Sequence, residues 1–269
     1  MQVKIRDERT GKVVVHERLA EAFPRWQPQE RWLFISPHDD DVLIGGGILL
    51  QRALEEGVDV HVLVTTDGAQ GYCDLSLRDS IVEVRREETA LAYRAIGVHQ
   101  VHLLDFPDGS LHLFKGRRRA QDGDPGMIEG YTGLQNALTF FYRKLLPSRV
   151  FLMSLNDYHP DHKVVHEEAI ISLFHAHNPI WAELGPPTGG FPRVYELAAY
   201  GDFVALPSIR VEGTKELKER KLRALDLFVS QKEIIASLVS ILRERPAVEY
   251  VREYGFKLYD PAVYEAFFS

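Results

Sequence analysis

The sequence predicts a three-layer α/β fold built on a mostly parallel sheet, and three observations predict it. Apolar runs of strand length alternate four times with segments of helical period, and each helical segment is long enough to serve as a crossover. The chain has 269 residues, 45% hydrophobic and 26% charged, the balance of a folded protein able to bury one sizeable core. Strands joined by helical crossovers pair in parallel, and right-handed crossovers place helices on both faces of the sheet. The chain reads as a single domain over 1–269, with 178–269 as a C-terminal embellishment.

Taken in order, "VKIRDERTGKVVVHE" forms two short strands around a Thr-Gly turn, and "ERLAEAF" a short helix. "RWLFIS" is a compact strand that stops at Pro37, His38 and Asp39, and residues 43–56 form a helix ended by Gly57. "VDVHVLVTTDG" alternates and closes on Asp67 and Gly68. Ile81, Val84, Glu88, Leu91 and Ala95 carry the helical period of residues 80–96, which stops at Gly97. "VHLLDF" is the next strand. Residues 110–133 are rich in Gly, Arg and Asp without any period, a loop long enough to be functional. "LQNALTFFYRKLL", "RVFLMSL" and "DHKVVHEEAIISLFHAH" follow as helix, strand and helix. Beyond His177 come a Pro/Gly-rich loop, a late strand in "RVYELAAYGDFVAL", and one helical segment over 214–242 with Leu222, Leu225 and Val229 on one stripe. The aromatic tail "YVREYGFKLYDPAVYEAFF" fits core packing, cleft lining or a subunit interface, so a homo-oligomer stays open.

Composition narrows the partners. A net charge of −7 argues against nucleic acid, which needs a basic surface, and points to a small-molecule substrate. The N-terminus lacks an apolar leader, and the longest apolar run, "VLIGGGILL", falls short of the ~20 residues of a membrane span, so a cytoplasmic location is expected. With Cys73 as its single cysteine, the chain has no internal disulfide and no cysteine-based zinc site. Any metal rests on histidine and carboxylate.

Parallel α/β sheets bind ligands beyond the carboxyl ends of their strands. "FISPHDDDVLIGGG" follows one predicted strand and "NDYHPDHKVVH" another, so His38, Asp40 and Asp41 share an edge with His159, Asp161 and His162. Adjacent carboxylates repel unless a cation neutralises them. Two histidines, one carboxylate and an open position match a catalytic zinc site. His166 lies one turn after His162, and only one of the two is needed. A helix cap would explain one aspartate and no histidine. His38, Asp39 and Asp40 with His162 also fit the spacing of a facial-triad iron(II) oxygenase, but that triad sits on barrels without helical crossovers. Asp67 and Asp108 could contact sugar hydroxyls or simply form turns. Gly45, Gly46 and Gly47 read as close helix–strand packing, and Arg117, Arg118 and Arg119 as a solvated loop.

These residues resemble the LmbE/PIG-L family of metal-dependent N-acetylglucosaminyl deacetylases, through "SPHDDDVLIGGG", "TTDG", "RREETALAYRAIGV", "LDFPDG", "HPDHKVVH" and "KLRALDLFVSQ" in the family's order. The resemblance implies a Rossmann-like fold with the active site at the C-terminal edge of the strands. It further implies that His38, Asp41 and His162 ligate zinc, that Asp40 is the general base, and that His159 stabilises the oxyanion or serves as acid with Asp161 orienting it. It also implies Arg85 as a substrate contact, to which the strand-end position of Asp108 adds a second candidate contact. The implied reaction removes an N-acyl group, acetyl by preference, from an N-acetylglucosamine-type sugar. Another divalent ion such as iron could fill the same ligands. Two positions depart from the signature: Asp39 stands where the family has proline, and Val42 where it has glutamate. A metal-binding relative without catalysis would lack Asp40 or His159, and both are present.

Overall fold

The computed structural model describes residues 1–268. Its elements are β1 (Val3–Arg6), β2 (Val13–His16), α1 (Leu19–Ala22), β3 (Arg31–Ser36), α2 (Asp41–Glu55), β4 (Asp59–Thr66), α3 (Ile81–Ala95) and β5 (Gln100–Phe106). Next come β6 (Arg118–Arg119), β7 (Tyr131–Thr132), α4 (Leu134–Leu145), β8 (Arg149–Met153), α5 (Pro160–His177) and β9 (Arg193–Leu197). The chain closes with β10 (Ile209–Glu212), α6 (Lys215–Leu225), α7 (Lys232–Glu244), β11 (Val248–Tyr254) and α8 (Pro261–Phe268).

Nine strands form one sheet in the order β2-β1-β10-β11-β9-β8-β3-β4-β5. From β9 to β5 all neighbours are parallel, as the four β-α alternations require. The remaining pairings are antiparallel, so the N-terminal hairpin and the last two strands extend the sheet as a wing. Residues 178–268 therefore supply β9 to the parallel core as well as two strands of the wing. Side chains of β3 alternate between two apolar layers. Trp32 and Phe34 face α2, α3, α6 and α7, whereas Leu33 and Ile35 face α4 and α5.

Three expectations change in detail. The helical segment over 214–242 is two helices, because residues 226–231 break to bury Phe228 and to let the Ser230 N–H and hydroxyl bond Glu88. The late strand ends at Leu197 rather than running on. The loop over 110–133 holds a short 3-10 turn (Leu111–Phe114) and the β6–β7 hairpin, where Arg117 sits over the Tyr131 ring and pairs with Glu183. Helix α8 has no buried residue. Among the described residues no helix is long and apolar enough to cross a membrane.

Helix α2 packs against β9 closely enough that a Cβ on Gly45 would come within 2.9 Å of the Ala198 carbonyl oxygen. A buried ion pair pins the same helix from its other side. Lys221 Nζ lies 2.7 Å from Glu249 Oε1 and donates to the Ile44 carbonyl at 2.6 Å, while Glu249 accepts from the Ile48 and Leu49 N–H groups. Removing one member of such a pair strands a buried charge. Glu249→Ala is expected to destabilise the protein by about 3–5 kcal/mol in chemical denaturation; a loss under about 1 kcal/mol would show the pair to be solvated.

Candidate metal centre

Strands β3 and β8 lie side by side, but the crossover after β3 runs to β4 on one side while β8 continues to β9 on the other. The crevice between their carboxyl ends is thus the topological switch point. The turn after β3 is braced by hydroxyls. Thr65 and Thr66 Oγ1 each donate to the Pro37 carbonyl at 2.9 Å, and Ser36 Oγ donates to the His38 carbonyl while accepting from Val42 N–H at 3.2 Å. Asp40 is the residue before α2 and Asp41 its first, where the helix dipole favours a negative charge. After β8, His159 caps α5 and Pro160 opens it, a position that needs no N–H.

Three donor atoms converge in this crevice. Asp41 Oδ2 is 3.2 Å from His38 Nδ1 and 3.1 Å from His162 Nε2, and the two ring nitrogens are 3.2 Å apart. Ligands on one tetrahedral ion at about 2.0–2.1 Å stand roughly 3.4 Å from each other, so the triangle fits a small divalent metal. Proton chemistry fits it less well, since two imidazole nitrogens facing one another at this distance cannot both carry hydrogen. Asp41 Oδ1 is buried without a partner, as expected of a carboxylate built to neutralise a cation. The ligand atoms of His38, His159 and His162 also lie within 4.8 Å of one another, which keeps His159 at the edge of the same cluster.

Each histidine of the triangle has a carboxylate behind it, the arrangement that fixes ring orientation at metal sites. His38 Nε2 is 3.0 Å from Asp108 Oδ1, and His162 Nδ1 is 3.1 Å from Asp157 Oδ2, though outside hydrogen-bond alignment. Burial opposes charge on both imidazoles. Asp108, Asp161 and Asp41 nevertheless hold His38 well above its ordinary pKa, and Asp41 with Asp157 pushes His162 up to about 9. Burial would raise Asp41 too, but the imidazoles beside it keep it low. In metal-free protein at least one proton is therefore held on this facing pair of imidazoles near neutral pH, and metal must displace it. Calorimetric metal titrations in buffers of different ionisation enthalpy should show proton release, with affinity falling as pH falls. Binding without proton release would mean that the imidazoles are already neutral.

The other predicted residues fall as follows. Asp40 is buried beside the triangle, with Tyr200 Oη 3.3 Å from its Oδ2, and burial followed by the Asp41 charge pushes it up to about 7. His159 is half-buried, its ring edge-on to His38 at 4.5 Å; burial and the neighbouring imidazoles lower its pKa, so it is neutral rather than cationic. Its Nδ1 accepts from the Asp161 N–H at 3.3 Å, which leaves Nε2 to carry the hydrogen. Asp161 thus holds His159 through its backbone, because its carboxylate turns to the Gly109 N–H at 2.7 Å and lies 3.8 Å from His38 Nε2. Asp108 lines the pocket, with Oδ1 3.0 Å from His38 Nε2 and Oδ2 accepting from the Gln70 N–H at 3.1 Å. Arg85 is buried and bonded to Asp39, which also answers where Asp39 goes: away from the metal triangle, onto a guanidinium. Val42 packs in the core, and His166 bonds the Met153 carbonyl, outside the cluster.

Two site residues escape sequence reading. Asp157 stands in "NDYHPDH" and reads as a turn residue, although its place two positions before His159 was a usable signal. Tyr200 follows β9, and nothing local marks it. A pocket of about 430 Å³ opens over the triangle, lined among others by Gln70, Tyr158, Tyr200, Gln231 and Ile234. Another cavity of about 370 Å³, near Tyr142, Leu173 and Phe191, has neither histidine nor carboxylate in its wall.

Comparison with known proteins agrees with this architecture. The chain is 38% identical over 80 residues to diacetylchitobiose deacetylase of Thermococcus kodakarensis, a match covering 29% of this chain and 30% of that one. It is 32% identical over 164 residues to 1D-myo-inositol 2-acetamido-2-deoxy-alpha-D-glucopyranoside deacetylase of Kineococcus radiotolerans, covering 55% of this chain and 45% of that one. The matches thus span less than half the length of these two relatives. N,N'-diacetylchitobiose deacetylase from Pyrococcus horikoshii shares the fold, with a TM-score of 0.67 and 23% identity over 84% of each chain. The family model of GlcNAc-PI de-N-acetylase (PIG-L) matches residues 33–173, which hold the loops after β3 and β8, most of β3, and the parallel strands β4, β5 and β8. The match covers more than half of the 269 residues, and the chain belongs to the PIG-L family.

Proposed function

We propose that this protein is a metal-dependent N-deacetylase of N-acetylglucosamine-type sugars or their conjugates, with His38, Asp41 and His162 as ligands and zinc as the metal. The observation that carries this reading is the convergence of those three donors at the switch point, with Asp40 beside them and bonded to none of them. A bound divalent ion supplies Lewis acidity and lowers the pKa of its water to about 7. The chain's own groups do the rest. Asp40, whose carboxylate Tyr200 holds in place, takes a proton from the attacking water and returns it to the departing amine nitrogen. His159 donates its Nε2 hydrogen to the carbonyl oxygen as negative charge builds there. Asp108 and Asp157 keep the ligand rings in register. Amide and water become amine and acetate. The names of the two deacetylase relatives support the sugar class, and a doubly wound sheet gives the oxygenase reading no support.

The test is acetate release from N-acetylglucosamine and N,N'-diacetylchitobiose. Metal-replete protein should turn over at least one of them, chelation should abolish the activity, and added zinc should restore it. Metal-loaded protein that releases acetate from no N-acetyl amino sugar would overturn the proposal.

A further inference from the structure

Among the described residues that line the pocket over the triangle, Arg85 is the only lysine or arginine. Its charge is already spent. Arg85 Nε donates to Asp39 Oδ2 at 2.8 Å and Nη2 donates to Asp39 Oδ1, a two-pronged ion pair that Thr89 Oγ1 completes with a further bond to Oδ2 at 2.8 Å. Arg85 is 2% exposed and Asp39 5%. On its third side the guanidinium abuts Gly71, whose carbonyl accepts from Nη1 at 3.3 Å, and a Cβ at position 71 would lie 2.2 Å from that nitrogen. The cation faces the pocket as half of a neutral pair.

The remaining charge around the pocket is negative. Asp40, Asp108 and Asp157 line it, with Asp41 and Asp161 buried directly behind. Histidines that ligate a metal are neutral, so even with Asp40 protonated a divalent ion cancels only part of the charge on the other four carboxylates. Little in the low-dielectric wall screens the excess. At the mouth, Tyr158 is 86% exposed and Ile234 48%, surfaces suited to the C–H face of a sugar rather than to a charged group.

From these contacts we infer that the pocket selects neutral or cationic N-acyl amino sugars against phosphorylated or carboxylated ones, and that Asp39 is the positioning residue that enforces this by neutralising Arg85. The inference rests on the deacetylase reading and narrows its substrate class. An anionic sugar would meet uncompensated carboxylates and find no free cation, a repulsive element of the kind that sets specificity.

The probes are N-acetylglucosamine and N-acetylglucosamine 6-phosphate, compared by calorimetric binding and by acetate release on the metal-replete protein. Wild type should favour the neutral sugar by at least about tenfold, and that preference should shrink as salt is raised. Asp39→Asn should shift the ratio of the two kcat/KM values toward the phosphate by about tenfold, and Asp39→Asn combined with Arg85→Gln should restore the wild-type ratio. A merely structural Asp39 would lower both kcat/KM values alike and leave their ratio fixed. If Asp39→Asn does not fold, the salt dependence in wild type still decides. Equal binding of the two sugars, or a preference insensitive to salt, overturns the inference. A neutral preference in binding without any acetate release overturns the deacetylase reading and leaves this inference standing.

Discussion

Asp41→Ala is expected to strip the protein of its metal. The Asp41 carboxylate is the one anionic corner of the donor triangle, fully buried and 3.1–3.2 Å from both ring nitrogens. Its loss leaves two imidazoles facing each other with no charge to balance a dication. Changes to groups that merely support metal ligands cost about 10–100-fold in affinity, so deleting a ligand should exceed about 100-fold. Elemental analysis of wild type and variant, purified without a metal-affinity tag, reads this directly. About one ion per chain is expected in wild type, lost in the variant along with turnover. Retention of the ion by Asp41→Ala would move the centre to His38, His159 and His162 or to His38, Asp108, His159 and Asp161, the other sets within reach among the described residues.

Asp40→Asn should separate chemistry from binding. Asp40 is as buried as Asp41, yet its neighbour is the Tyr200 hydroxyl rather than a ring nitrogen, so the metal should stay. Turnover should fall about 10²–10⁴-fold, the usual worth of a positioned base. The fold should not suffer. Burial and the Asp41 charge both disfavour a second carboxylate there, so an uncharged amide relieves repulsion, and the melting temperature should hold or rise. Undiminished turnover in metal-loaded Asp40→Asn would remove Asp40 from the base role.

Most of the element order was legible in the chain because period and punctuation are local. "RWLFIS" is short, apolar and stopped by Pro37, and the stripe through Ile81, Val84, Glu88 and Leu91 is amphipathic whatever surrounds it. Histidines and aspartates gathered at two strand ends also announce a metal without any structure, since adjacent buried carboxylates need a cation. Boundaries and breaks were less visible. Residues 226–231 keep a helical pattern, and burial of Phe228 together with the acceptor offered by Glu88 on another helix makes the break favourable.

What the sequence by itself determined is the alternation of strands and helices, the edge of the sheet that bears the polar loops, and the residue types able to bind a metal. The tertiary structure decided which strands are neighbours. It set β3 against β8 at the switch point, closed His38, Asp41 and His162 into one triangle, and brought Asp157 and Tyr200 to it from the loops after β8 and β9. It also gave Arg85 to Asp39 and Asp108 to His38. The physical reason is range: propensity and period act over a few residues along the chain, whereas ligation and ion pairing act over about 3 Å in space between positions far apart in sequence.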